Sequence, residues 1–107
     1  MARLSDISAD DGDSVLARDM TAALTAAELV YEDGSTQTFN PDGSTVFVEG
    51  GRPSQGEWAS VSDGKFSSFW PPTYRAAYDI RWIVDNGSPV GLTFASDNGE
   101  RFSGRYR

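Results

Sequence analysis

The chain has 107 residues, which is enough for one hydrophobic core and therefore for one domain. It contains no Cys and no His, which excludes disulfide scaffolds, thiolate nucleophiles, the commonest metal ligand and the commonest general base. The net charge of −7 argues against nucleic acids and anionic membranes as partners, because both carry negative charge themselves.

The first twelve residues are polar and acidic. We expect residues 1–12 to form a flexible acidic leader, because they lack the regularly spaced apolar residues that could pack against a core. The positive charge of Arg3 is not followed by an apolar stretch, so this segment does not resemble a secretory signal. No run of 18 apolar residues occurs in the chain, which argues against a membrane span. Together with the absence of Cys, these features predict a cytoplasmic protein.

A helix is predicted after the leader. From Asp13 or Ser14 onward, apolar residues recur at spacings of three and four, which is typical of one face of a short helix over about residues 13–24. An acidic or hydroxyl side chain at the start is typical of a helix N-cap. Residues 13–107 are then expected to form a single domain that begins with this helix.

Beyond the helix, apolar residues alternate with polar ones and turn sequences interrupt the pattern. Seven turns, several of them Asn-Gly or Asp-Gly, divide residues 27–106 into eight segments. None of the segments can hold a helix that would connect parallel strands, so we predict an antiparallel meander. The eight segments are 27–32, 35–40, 44–49, 52–62, 65–70, 75–85, 88–97 and 100–106.

An open sheet of eight strands would leave two exposed edges, which favours closure into a barrel. The outward face of the first strand carries Glu28 and Glu32, and closure would place them beside basic residues of the last strand. These are Arg101, Arg105 and Arg107. We therefore predict an all-β, eight-stranded antiparallel meander barrel with a short N-terminal helix capping one end. The opposite end, here named the mouth end, contains the turns near residues 33–34, 50–51, 71–74 and 98–99.

Aromatic residues carry the clearest functional signal. Several have the inward parity of their strands, and eight strands enclose enough volume for their own side chains or for one small ligand. We predict that a small apolar or aromatic ligand binds in the interior, with Tyr74 and Arg75 at the lip of the mouth end. The candidate ligand-binding residues are Trp58, Trp70, Tyr74, Arg75, Tyr78 and Trp82.

Two other functions stay open at this point. A barrel filled by its own side chains would act as a protein-interaction or inhibitor module through the loops of the mouth end or through the acidic leader. An enzyme would need a shielded acid, for which Glu57 and Asp79 are the candidates. The sequence has no hydrolase or phosphate-binding motif, so we assign no catalytic residue, metal or cofactor, and we expect a monomer.

The segment Gly56-Glu57-Trp58 resembles the Gly-x-Trp signature of calycin barrels, the group that contains lipocalins, fatty-acid-binding proteins and avidins. In those families the motif lies on the first strand, whereas here it falls on the predicted fourth. Residues 24–107 also resemble small bacterial calycin-like proteins, and the resemblance implies a barrel and ligand binding without established catalytic residues. The residues that carry it are Tyr31-Glu32-Asp33-Gly34-Ser35, Phe39-Asn40-Pro41-Asp42-Gly43, Asp63-Gly64-Lys65-Phe66, Trp70-Pro71-Pro72 and Tyr78-Asp79.

Overall fold

The computed structural model describes Leu4 and residues 7–107, so part of the predicted leader (residues 1–3, 5 and 6) lies outside the described residues. A helix, α1 (Ala17–Thr25), precedes the strands. Within the described residues there is no helix of the length and hydropathy needed to cross a bilayer. The eight strands are β1 (Leu29–Tyr31), β2 (Thr36–Phe39), β3 (Ser44–Glu49), β4 (Arg52–Ser62), β5 (Lys65–Trp70), β6 (Tyr74–Asp85), β7 (Ser88–Ala95) and β8 (Arg101–Tyr106).

The sheet closes into a barrel in which every strand is antiparallel to its neighbours in the chain. The first strand, β1, also pairs with residues 104–106 of β8, which joins the two ends of the meander. Next to this ladder, Arg107 Nη1 lies 2.8 Å from Glu28 Oε1. The predicted closure is confirmed. The expected charge pairing is present at Glu28, whereas Glu32 lies beyond the end of β1.

The turn sequences explain why the strands form hairpins. Asp85 pairs with Ser88 at the end of the β6–β7 hairpin, and Asn86 and Gly87 between them have φ angles of 52° and 77°. Two consecutive positive φ angles are characteristic of the type I′ turn, whose twist matches that of the flanking strands. Asn and Gly adopt this conformation at low cost, which is why Asn-Gly predicts such a turn.

The half of the barrel next to α1 is filled by side chains. The helix covers this end, since the Tyr106 hydroxyl donates to the Ala23 carbonyl oxygen (2.6 Å) and the Ala17 amide donates to Asp63 Oδ1 in the β4–β5 turn (2.7 Å). The predicted capping of one end by the helix is confirmed. The buried side chains packed here include Val15, Met20, Leu24, Leu29, Ile80, Trp82 and Leu92.

The helix begins at Ala17, later than the predicted start near residue 13, because the residues before it pair with β6. The Gly12 amide donates to the Trp82 carbonyl oxygen (2.9 Å), and the Val15 amide donates to the Ile80 carbonyl oxygen (3.0 Å). Strand β6 has 12 residues and β5 has six, so β5 leaves half of one β6 edge without a partner. Buried backbone groups need hydrogen bonds, and the segment before α1 supplies them.

Hydrogen bonding between the N-terminal segment and the barrel begins inside the predicted leader. Asp11 Oδ1 accepts a hydrogen bond from the Val84 amide (2.9 Å), and the Gly12 carbonyl oxygen accepts one from Arg81 (2.9 Å). Residues 11 and 12 therefore belong to the hydrogen-bonded structure. The flexibility of the leader as a whole stays a prediction.

Candidate functional site

A cavity of about 480 Å³ occupies the half of the barrel that lies away from α1. Its upper lining comes from the mouth end, where Asp33 lies in the β1–β2 turn, Glu49 ends β3 and Trp70 ends β5. Its volume lies within the ~300–1,000 Å³ that is typical of small-molecule sites. The barrel therefore opens at the predicted mouth end and is filled at the helix end.

Three phenylalanines close the bottom of the cavity, and we name them the phenylalanine floor: Phe39 of β2, Phe66 of β5 and Phe94 of β7. The ring centroids of Phe39 and Phe66 are 5.7 Å apart, as are those of Phe66 and Phe94, and Phe39 lies 6.1 Å from Phe94. These are contact distances for aromatic pairs. All three side chains are buried, so the floor offers a ligand an aromatic surface.

Trp58 supports the floor but does not line the cavity. Its indole stacks on Phe66, with centroids 6.4 Å apart and planes 18° apart, and meets Phe39 edge to face at 6.1 Å. The indole N–H donates to the Asn40 carbonyl oxygen (3.0 Å). The polar atom of Trp58 is therefore satisfied by the protein, and the indole acts as packing for the floor.

A chain of hydrogen bonds forms one wall of the cavity. The Tyr31 hydroxyl donates to Gln37 Oε1 (2.7 Å), and Gln37 Nε2 donates to Thr45 Oγ1 (3.0 Å), which donates to the Thr38 carbonyl oxygen (2.8 Å). Burial, and to a smaller extent nearby Tyr78, raises the pKa of Tyr31 above its ordinary value. The hydroxyl therefore stays protonated at neutral pH. It keeps a lone pair, and the Gln37 amide keeps a second N–H, for a ligand.

The wall formed by β5 carries a second polar point. Trp70 Nε1 donates to Ser68 Oγ (3.2 Å), which leaves the hydroxyl proton of Ser68 available to an acceptor in the cavity. The indole of Trp70 lies against the backbone of β4 at Gly56. A Cβ atom at Gly56 would lie 2.5 Å from Trp70 Cε3 and 2.7 Å from the Phe69 carbonyl oxygen. The glycine of the Gly-x-Trp sequence therefore makes room for a residue of the cavity wall.

Charged side chains surround the opening, and we name Glu32, Asp33, Glu49 and Arg101 the rim. Strand β1 pairs only with residues 104–106 of β8, which begins at Arg101. No described strand therefore pairs with residues 101–103 on the β1 side, and the opening extends into this gap. Asp33 Oδ1 accepts hydrogen bonds from the hydroxyl and the amide (2.9 Å) of Ser35. These bonds lower the pKa of Asp33, which stays a carboxylate.

Of the six predicted ligand-binding residues, Trp70 and Tyr78 line the cavity. Burial raises the pKa of Tyr78, with smaller contributions from Tyr74 and Glu100. Trp58 lies behind the phenylalanine floor, and Trp82 is buried in the filled half with 2% exposure, so neither lines the cavity. Their inward orientation agrees with the predicted strand parity, but both lie deeper in the barrel than the cavity reaches.

The two predicted lip residues lie at the mouth end without lining the cavity. The Tyr74 side chain is 61% exposed. The guanidinium of Arg75 lies over the ring of Phe69, 4.5 Å from its centroid, on the outer face of the barrel. Direct ligand contact by any of the six residues stays a prediction.

Sequence reasoning missed cavity residues on the shorter strands. Phe39, Gln37 and Phe47 were not among the candidates, although all three line the cavity. A signal was present for two of them. Phe47 and Glu49 share one face of β3, and Glu49 immediately precedes the Gly50-Gly51 turn of the mouth end. Inward parity combined with closeness to the mouth end would have identified Gln37 and Phe47, whereas Phe39 lies at the opposite end of β2.

The acids considered for an enzyme lie outside the cavity. Glu57 is exposed, and Asp79 lies on the outer face, where its Oδ1 is 2.5 Å from Lys65 Nζ. Within Leu4 and residues 7–107, no three acidic side chains are grouped so that they could hold a metal ion. Neither Glu57 nor Asp79 is therefore the shielded acid that an enzyme built on these two residues would need.

No family model matches the chain, and no curated protein or solved structure is significantly similar to it. The fold is an eight-stranded antiparallel barrel of the kind that the calycin resemblance implies.

Proposed function

We propose that this protein is a small calycin-like binding barrel that takes up a small, largely aromatic or apolar molecule in the cavity of its mouth end. The observation that carries the proposal is the open cavity of about 480 Å³ above the phenylalanine floor. A filled interior would have favoured the interaction or inhibitor module. The absence of Cys fits a reducing compartment such as the cytoplasm.

The lining supports a ligand with an aromatic body and at least one polar group. The floor and the rings of Phe47, Trp70 and Tyr78 offer aromatic faces to such a body. The free hydrogen-bonding positions of Gln37 and Ser68 offer points at which a polar group would be held. A few polar groups in a mainly apolar pocket are typical of sites that fix the orientation of a small ligand.

The first test uses N-phenyl-1-naphthylamine, an uncharged aromatic probe whose fluorescence rises in apolar surroundings. It has about 17 non-hydrogen atoms, and at about −0.4 kcal/mol per atom the binding free energy is about −7 kcal/mol. This corresponds to a Kd on the order of 10 μM. We expect saturable binding at one site per chain, with quenching of tryptophan fluorescence because Trp70 lines the cavity.

A matched pair of variants on β5 locates the site. Ser68 lines the cavity, whereas the neighbouring Ser67 lies on the opposite face of the strand. In Ser68→Leu the larger side chain enters the cavity and should weaken probe binding at least about tenfold, since it displaces part of the ligand. Ser67→Leu should bind as the wild type does. Absence of saturable binding to the wild type, or equal loss in both variants, would reject the proposal.

An interaction module is the second candidate, because two aromatic side chains at the mouth end are exposed. Tyr74 is 61% exposed and Phe102 is 43% exposed. Exposed aromatic residues around an opening are typical of surfaces that contact other proteins. A wild-type protein that binds no apolar probe would favour this function.

A further inference from the structure

We propose that the ligand of this cavity is a cation, with a protonated amine or quaternary ammonium group attached to an aromatic body. This inference rests on the proposed function, because it assigns a chemical class to the occupant of the same cavity. It depends on three features: the charges of the rim, the aromatic faces directly below them, and the charge of the whole chain.

The rim has more negative than positive charge. It contains the three acids Glu32, Asp33 and Glu49 and the single base Arg101. None of the three acids forms an ion pair within 4.0 Å with a described residue, although Arg52 of β4 is the cross-strand neighbour of Glu49. No described basic group therefore neutralises these carboxylates by direct contact, and a ligand cation would supply that contact.

Aromatic faces lie beside one of these carboxylates. Phe47 and Glu49 share the inward face of β3, two positions apart, so the carboxylate lies one level above the ring, towards the mouth. The rings of Phe47 and Trp70 meet edge to face with centroids 6.5 Å apart. An ammonium group in this corner would be attracted both by the π faces and by the carboxylate.

The alternative is an anionic ligand held by Arg101. An anion in the cavity would lie close to three carboxylates and one guanidinium, and it would approach a chain of net charge −7. The field of the whole molecule attracts cations and repels anions. Both the local and the overall charge therefore favour a cation.

The test compares three probes with the same aromatic body: 2-naphthylmethylamine, 2-naphthylmethanol and 2-naphthoate, measured by isothermal titration calorimetry at pH 7 and low salt. We expect the protonated amine to bind about threefold to tenfold more tightly than the alcohol, and the carboxylate to bind most weakly. The advantage of the amine should fall as salt is added. Equal affinities, or tightest binding of naphthoate, would overturn the cation assignment while leaving the binding function intact.

A second matched pair identifies the carboxylate. Glu49→Gln keeps the shape of the rim and removes one charge, so the amine should lose about threefold in affinity while the alcohol is unchanged. Glu57→Gln removes a charge from an exposed position of β4 that does not line the cavity, and it should change neither affinity. Equal effects of the two substitutions would show that the net charge of the chain, and not the rim, determines the preference for the amine over the alcohol. That result would overturn the assignment of the cation to the rim. Failure of all three probes to bind the wild type would reject the binding function and the cation assignment together.

Discussion

The substitution Gly56→Ala tests whether the cavity wall has the packing described here. In the native protein the indole of Trp70 lies against the β4 backbone at Gly56, which is buried. A Cβ atom there would lie 2.5 Å from Trp70 Cε3 and 2.7 Å from the Phe69 carbonyl oxygen. Nonbonded carbon atoms prefer separations of about 3.5–4.0 Å, so the indole would have to move by about 1 Å. The Phe69 carbonyl oxygen is part of β5, which pairs with β4. It cannot move far without disturbing the pairing of these two strands.

Forced overpacking of this kind costs about 1–3 kcal/mol of unfolding free energy. With a urea m-value of about 1.5 kcal/mol per M, the unfolding midpoint should fall by about 0.7–2 M. The assay is urea unfolding followed by tryptophan fluorescence, combined with titration of N-phenyl-1-naphthylamine. Binding of the probe should weaken as well, because Trp70 lines the cavity and a shift of its indole away from β4 would change the shape of the site.

Ser54→Ala provides the control, since Ser54 is an exposed residue two positions earlier on β4. Its unfolding free energy should change by no more than about 0.5 kcal/mol. If Gly56→Ala were as stable as this control and bound the probe normally, the close contact between Trp70 and the β4 backbone would not exist. Gly56 would then not be needed to make room for Trp70.

Three further predictions concern closure, the N-terminal segment and pH. A double-mutant cycle of Glu28→Gln and Arg107→Gln should give a coupling free energy of about 0.2–1 kcal/mol in urea unfolding, and zero coupling would contradict the ion pair next to the β1–β8 ladder. Asp11→Ala removes the acceptor for an amide of β6 and should lower the unfolding free energy by about 0.5–1.5 kcal/mol, whereas an unchanged value would mean that the segment before α1 does not stabilise β6. Burial raises the pKa of Tyr31 and of Tyr106, so the stability that each contributes is complete below the unfolded pKa of 10.0 and is lost as the pH rises above it. In an ultraviolet titration these two tyrosines should ionise only when the protein unfolds at alkaline pH, and their reversible ionisation in the folded protein would show that they are not buried.

The barrel could be predicted because its signals are local. Turn pairs such as Asn86-Gly87 mark the hairpins, and the alternation of Tyr78, Ile80 and Trp82 identifies the inward face of β6. Closure followed from the need to remove exposed edges, and the charge pair between Glu28 and Arg107 agrees with it. The turn pairs and the alternation are visible in neighbouring residues, and the charge pair is visible in the sequences next to the first and last strands.

The start of the helix could not be predicted in the same way. Asp13 and Ser14 suit a helix N-cap and Val15 begins the apolar spacing that suits a helix, yet the backbone of these residues pairs with β6. This pairing depends on the different lengths of β5 and β6, which leave part of one edge of β6 free. Local periodicity cannot show a vacant edge that is created more than 60 residues later in the chain.

Only some of the cavity residues could be predicted. Strand parity shows whether a side chain points into the barrel, but it does not show how deep in the barrel the side chain lies. Tyr78 and Trp82 point the same way from β6, and four residues of strand separate them by about 13 Å at ~3.3 Å per residue. Tyr78 is near enough to the mouth end to line the cavity, whereas Trp82 reaches the half that is packed against α1. Depth is set partly by the helix, since its buried side chains Met20 and Leu24 pack with strand residues such as Trp82 in the filled half of the interior. The inward positions nearest the mouth turns are therefore the ones left for a ligand, and the choice of substitutions for binding experiments should follow depth as well as parity.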